Sequence, residues 1–112
     1  MWQDARSLVK SIYEEIARNN DASKDWGFRN QIQSASVSIM NNIAEGFERQ
    51  SDKDFARFLD MAKASAGEVR SMLYLASDLN YLAPEKANSL KEQSEKISKG
   101  ISALSKHLRK SG

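Results

Sequence analysis

Between Asn30 and Ala44 the chain carries no Asp, Glu, Lys or Arg, although 29% of its 112 residues are charged. Within this run Ile32, Ala35, Ile39 and Ile43 recur at helical spacing. A helix that is small, apolar or amide-bearing all round has no solvating face, so more than one side of it has to be covered. Three neighbours from the same short chain leave part of that circumference open, and the remainder predicts self-association. Val37 and Met40 lie off the main apolar stripe and are the expected oligomer-interface residues.

The rest of the sequence also reads as helix. One Pro and five Gly punctuate it sparsely, and no alternation of period two is long enough for a strand. The spacing predicts helices over about 2–19, 26–49, 52–79 and 84–110 within a single domain spanning 1–112. In the first, Trp2, Ala5, Leu8, Val9, Ile12, Tyr13 and Ile16 form the apolar face. Asn19 to Lys24 reads as a polar turn, with Ser23 or Asp25 as the next N-cap.

In the second helix, Phe28, Ile32, Ala35, Ile39, Ile43 and Phe47 form the inner stripe. Gly46 there either loosens the last turns or admits a close neighbour. Ser51-Asp52-Lys53-Asp54 is a capping-box-like start for the third helix, whose inner face runs from Phe55, Phe58 and Leu59 to Leu73 and Ala76. Pro84 opens the fourth at the position where a missing amide hydrogen is harmless. There Ala87, Leu90, Ser94, Ile97, Ile101, Leu104 and Leu108 keep a three-four alternation. Rods of about 27 to 43 Å at 1.5 Å per residue, joined by short turns, predict an all-α, antiparallel up-down-up-down four-helix bundle.

Composition narrows the function classes. The absence of Cys excludes disulfides, thiol catalysis and thiolate metal sites and is compatible with a cytoplasmic location. No apolar run is long enough for a membrane span, and the N-terminus leads directly into an amphipathic pattern. The single His, His107, excludes the paired Glu-x-x-His ligands of a carboxylate di-iron bundle. Ser7 and Lys10 form a Ser-x-x-Lys without an oxyanion loop, and there is no Gly-Lys phosphate loop. Trp2, Trp26 and the Phe residues are expected in the core rather than around a cofactor. The reading is of a protein that is not an enzyme and holds no metal or cofactor.

Two polar groupings remain as candidate sites. Asn42, Glu45 and Arg49 follow three-four spacing and project from one helix face, with Glu68 on the next helix. They form either a partner-binding patch or a hydrogen-bonded network that fixes helix register. From Glu85 to Lys110 the last helix carries seven Lys or Arg against three Glu, including Lys91, Lys96, Lys99, Lys106, Arg109 and Lys110. These cations either contact nucleic acid or simply complement the helix dipole near its C-terminus. No aromatic platform is evident beside them in the sequence, so contact with RNA or DNA would be electrostatic and weakly sequence-selective.

A series of positions in fixed order carries a resemblance to a known family. Ser38-Ile39, Asn42-Ile43-Ala44-Glu45-Gly46, Arg49, Ser51, Phe55, Phe58-Leu59, Ala62, Ser65 and Glu68 match its signature, and Trp2, Ile12-Tyr13, Gln31 and Leu79-Tyr81-Leu82 also fit. On these residues the chain resembles the four-helix-bundle family of 23S rRNA intervening-sequence proteins. It departs from the family pattern at Gln33-Ser34, where an Arg-Arg pair is common, at Met40 in place of Pro, and at Ala64 in place of Gly. The resemblance implies a ring-like homo-oligomer, a homopentamer around a central channel, which at +2 per chain would carry about +10. It also implies kinship with the accessory proteins of diversity-generating retroelements, whose partners are a reverse transcriptase and nucleic acid. The family has no established activity, so the resemblance implies a shape and not a reaction.

Overall fold

The structure, a computed structural model, describes residues 1–111, with side chains through residue 110. Its helices are α1 (Trp2–Arg18), α2 (Asn20–Lys24), α3 (Trp26–Phe47), α4 (Asp52–Asp78) and α5 (Pro84–Ser111), and there is no strand among the described residues. The four long helices pack as a helical bundle 48 Å long and 22 × 19 Å across. In cross-section α3 lies between α1 and α4, α4 lies between α3 and α5, and α5 closes back on α1. The diagonal pairs make no close backbone approach among the described residues.

Each helix starts and stops for a local reason. Asn19 is extended, which ends α1, and its side chain then accepts from the Ala22 amide at 2.9 Å. With that cap made and Ala22 fully buried, Asn20–Lys24 winds into one helical turn instead of the polar turn expected from its composition. Asp25 caps α3 through the Phe28 amide, and its other oxygen accepts from the Tyr81 hydroxyl at 2.6 Å, tying the α4–α5 connection to the start of α3. Ser51 caps α4 by accepting from the Asp54 amide, as its motif predicts. At the far end of α4, Asn80 takes φ 60°. The Tyr81 amide then donates to the Ala76 carbonyl and the Asn80 amide to Ser77, a Schellman closure with Asn at the left-handed position. Pro84 is the first residue of α5.

The core follows the predicted stripes closely. Leu8, Ile12, Ile32, Ile39, Ile43, Leu59, Leu73, Leu90 and Ile101 are fully buried. Small residues fill the α3–α4–α5 side: Ala62, Ala66 and Ala76 are at 0% exposure, so the backbones approach closely, and Ser94 Oγ reaches the Ala66 carbonyl at 3.0 Å.

Three expectations are corrected. First, α3 stops at Phe47, two residues earlier than its spacing indicates: Glu48 keeps helical dihedrals, but its amide and that of Arg49 bond only three residues back, to Glu45 and Gly46, which tightens the last turn and ends the helix. Phe47 is 57% exposed instead of core, because the buried Gly46 takes the inward position and the Phe55 ring sits where a side chain would stand. A Cβ at Gly46 would lie 2.8 Å from Phe55 Cδ1, so the close-neighbour reading of that glycine holds. Second, neither tryptophan packs the core: Trp2 is 38% and Trp26 63% exposed, the latter covered on one face by the Arg29 guanidinium 4.0 Å from its centroid. Third, Tyr13 lies outside the α1 stripe at 43% exposure, because the helix turns it toward the outer edge of α3.

Candidate functional site

The charge-free run becomes the body of α3, and its outer side stays uncovered by the rest of the chain. Val37 and Met40 are half-buried and, with Trp2, Val9 and Tyr13 of α1, line an open, mainly apolar groove of about 490 Å³. Tyr13 and Val37 also border a second groove of about 490 Å³ lined by amides and hydroxyls, including Asn30, Gln33, Ser34 and Asn41. None of the residues that line the second groove is charged.

The signature polar residues do not form a single cluster. Asn42 is half-buried at the edge of the second groove, and its Nδ2 donates back along α3 to the Ser38 carbonyl at 2.9 Å and to Ser38 Oγ at 3.0 Å. Ser38 Oγ in turn meets Ser65 Oγ of α4 at 2.9 Å, which fixes the α3–α4 register. Glu45 and Arg49 remain on the surface as an i,i+4 ion pair at 2.7 Å, and the guanidinium lies 4.9 Å from the Phe58 ring centroid. Glu68 is exposed on α4, away from these contacts. Ser65, the residue that completes the cross-helix link, carried only the resemblance in the sequence, since its partner is 27 residues away.

The basic residues of α5 divide by direction. Lys91 lies 3.6 Å from the Tyr74 ring centroid, and Arg109 forks onto Asp60 while donating to Ser105 Oγ at 2.6 Å. The Asp60 carboxylate holds the Arg109 guanidinium above its ordinary pKa, first through the hydrogen bond and then through charge. Lys96, Lys99, Lys106 and Lys110 are exposed. The C-terminal third of α5 also meets residues that sequence reasoning did not single out. Lys53, Arg57 and Lys63 of α4 line two adjoining open grooves with Lys106, Arg109 and Lys110. Only the α4–α5 packing brings those two lysine-rich stretches together, and no spacing rule could have paired them.

The described residues contain no group of three or more His, Cys, Asp or Glu placed to hold a metal ion. No helix is long and apolar enough to cross a membrane. Lys10 of the Ser-x-x-Lys pair is exposed and lies 3.8 Å from Glu14.

Comparison with known proteins agrees with the fold. Among solved structures the chain is similar to a protein of unknown function from the S23 ribosomal protein family of Bacteroides thetaiotaomicron VPI-5482, known from a 1.70 Å crystal structure. The two superpose with a TM-score of 0.86 at 25% identity, over 94% of this chain and 97% of that one. No curated protein gives a match. The family model described as 23S rRNA-intervening sequence protein matches residues 1–103. With nearly its whole length inside that match, the chain belongs to the 23S rRNA-intervening sequence protein family.

Proposed function

We propose that this protein is a non-enzymatic scaffold: a single-domain, antiparallel up-down-up-down four-helix bundle whose copies close into a ring-like homo-oligomer in the cytoplasm. Paired positions that climb on α4 as they fall on α5, such as Asp60 with Arg109 and Arg70 with Ser98, support the antiparallel reading. The observation that carries the assembly is the groove of Trp2, Val9, Tyr13, Val37 and Met40 along the uncharged helix. A ring of more than two copies needs two different, complementary patches on each copy. Exposed Met61 and Leu75 on one flank of α4, with Leu79 at its C-cap, supply a second apolar surface. Five copies, the number the family resemblance implies, would have a mass of about 63 kDa from protomers of 12.6 kDa.

Light scattering coupled to size exclusion tests this. The wild type is expected to elute as a closed multiple of the protomer, and Val37→Asp, Met40→Asp or Leu75→Asp to give smaller species with helicity retained. A wild type that stays a folded monomer, or variants that remain fully assembled, would overturn it.

A second reading is electrostatic, weakly sequence-selective binding of RNA or DNA, in company with rRNA or a reverse transcriptase. Exposed Lys96, Lys99, Lys106 and Lys110 favour it. A gel shift in a salt series tests it: retardation is expected at low salt and is lost as salt rises. No retardation of any RNA or DNA removes it.

A further inference from the structure

We infer that the end of the bundle where the α3–α4 turn meets the C-terminal third of α5 is a binding site for single-stranded nucleic acid, with phosphates in the two adjoining grooves and a base stacked on Phe47. This deepens the nucleic-acid reading above and rests on it, but moves the site off the length of α5.

Three observations converge on that end. The first is charge. The two grooves, of about 680 and 410 Å³, share Asp60 and Arg109 and are lined by six cations: Lys53, Arg57, Lys63, Lys106, Arg109 and Lys110. Among the groove-lining residues only Asp54 and Asp60 oppose them, an excess of four against the whole chain's net charge of +2. A polyanion approaching this protein is therefore drawn to one end.

The second is how the two carboxylates are used. Asp60 holds the Arg109 fork by hydrogen bonds, whereas Asp54 stands 3.9 Å from Arg57, an exposed ion pair without a hydrogen bond. Among the described residues Lys53, Lys63, Lys106 and Lys110 have no ion pair, and all four are exposed. Exposed Glu48 on the α3–α4 turn and Asp52 at the start of α4 lie at the same end and set a limit on the attraction.

The third is an aromatic corner at the same end of the bundle, reached from the larger groove through Arg57. Phe47 is 57% exposed, with its ring braced 4.9 Å from that of Phe55. On α4, Phe58 is faced by Arg49 at 4.9 Å and by Arg57 at 5.4 Å, and Arg57 is also a wall of the larger groove. A braced, exposed ring at the same end of the bundle as four unpaired lysines suits a partner that offers phosphate and an accessible π-face together. A single strand does so, whereas a duplex keeps its bases stacked inside.

Fluorescence anisotropy with a labelled 20-nucleotide oligouridylate, and with a 20-base-pair duplex as comparison, tests the site. Six phosphate contacts on a single strand give a log–log salt slope of about −4, a loss of about 300-fold in affinity between 50 and 200 mM salt. Lys63→Glu/Lys106→Glu/Lys110→Glu is expected to lose at least about 100-fold at 50 mM salt. Phe47→Leu keeps the bulk and helix but not the π-face, and is expected to lose about tenfold for the oligouridylate and nothing for the duplex. Lys96→Glu/Lys99→Glu, on the same helix but outside the grooves, is expected to change affinity less than threefold.

If Lys96→Glu/Lys99→Glu loses as much as the triple variant, this site is wrong while the nucleic-acid reading stands. An unchanged Phe47→Leu overturns the single-strand assignment. No binding of either probe at 50 mM salt removes both the site and the reading beneath it. Molar masses of the same variants, measured in parallel, keep the scaffold proposal separate from each of these results.

Discussion

Gly46→Ala separates the tertiary account of α3 from a purely local one. By helix propensity alone the substitution stabilises, because Ala is preferred over Gly by up to about 1 kcal/mol in a helix, and by roughly half of that near a helix end. The structure reverses the sign. The new Cβ would stand 2.8 Å from Phe55 Cδ1, 3.1 Å from Phe55 Cε1 and 3.4 Å from Phe58 Cβ. Phe55 cannot simply swing away, since its ring is half-buried against the core and braced by Phe47. Overpacking of this kind costs about 1–3 kcal/mol, so the net change is a loss of roughly 0.5–2 kcal/mol. At about 4 °C per kcal/mol for a domain of this size, Tm falls by about 2–8 °C. The assay is thermal and urea unfolding by circular dichroism, run as a double-mutant cycle with Phe55→Ala. Once the ring is gone the clash is gone, and Gly46→Ala should then stabilise by ~0.5–1 kcal/mol. A Gly46→Ala change that stabilises both backgrounds equally would refute the close-approach account of this glycine.

Other perturbations probe different contacts. The Asp25 carboxyl lies below its ordinary value of 3.8, chiefly through the Tyr81 hydroxyl and then the Phe28 amide, and the Tyr81 phenol lies above its ordinary 10.0 through the same hydrogen bond. A lowered carboxyl stabilises above its unfolded pKa and loses this as pH falls through the folded one, whereas a raised phenol stabilises below its unfolded pKa and loses this as pH rises through the folded one. Tyr81→Phe should therefore melt lower than wild type at neutral pH, and the gap should close in strong acid and in strong alkali; a gap independent of pH counts against the bond. Ser94→Ala removes the fully buried hydroxyl bonded to the Ala66 carbonyl and should lose about 1 kcal/mol in urea unfolding with an unchanged m-value. Ser51→Ala removes the α4 cap and should also lose about 1 kcal/mol, largely restored by Asp at that position.

Much of this molecule was legible in the sequence because helix signals are local. The apolar stripes of α1, α4 and α5, the Ser51 cap, the Pro84 start and the uncharged body of α3 each depend on residues within a turn or two, and periodicity reads them directly. Residues 19–24 escaped that reading because their one helical turn depends on Ala22 finding a buried place among α1 and α3. Phe47 and Trp26 escaped it because an aromatic side chain at a helix end obeys the same spacing whether it faces core or solvent. Gly46 decides the first case only through the ring of Phe55 on the next helix, and Arg29 gives Trp26 a partner on the surface. The signature polar residues show the same division: their positions were visible in order, but that Ser38, bonded by Asn42, also meets Ser65 appears only across the α3–α4 contact. Lys53, Arg57 and Lys63 meet Lys106 and Lys110 only after α4 and α5 have packed. Spacing along one helix fixes which face a residue occupies; what stands opposite that face is a property of the packed bundle.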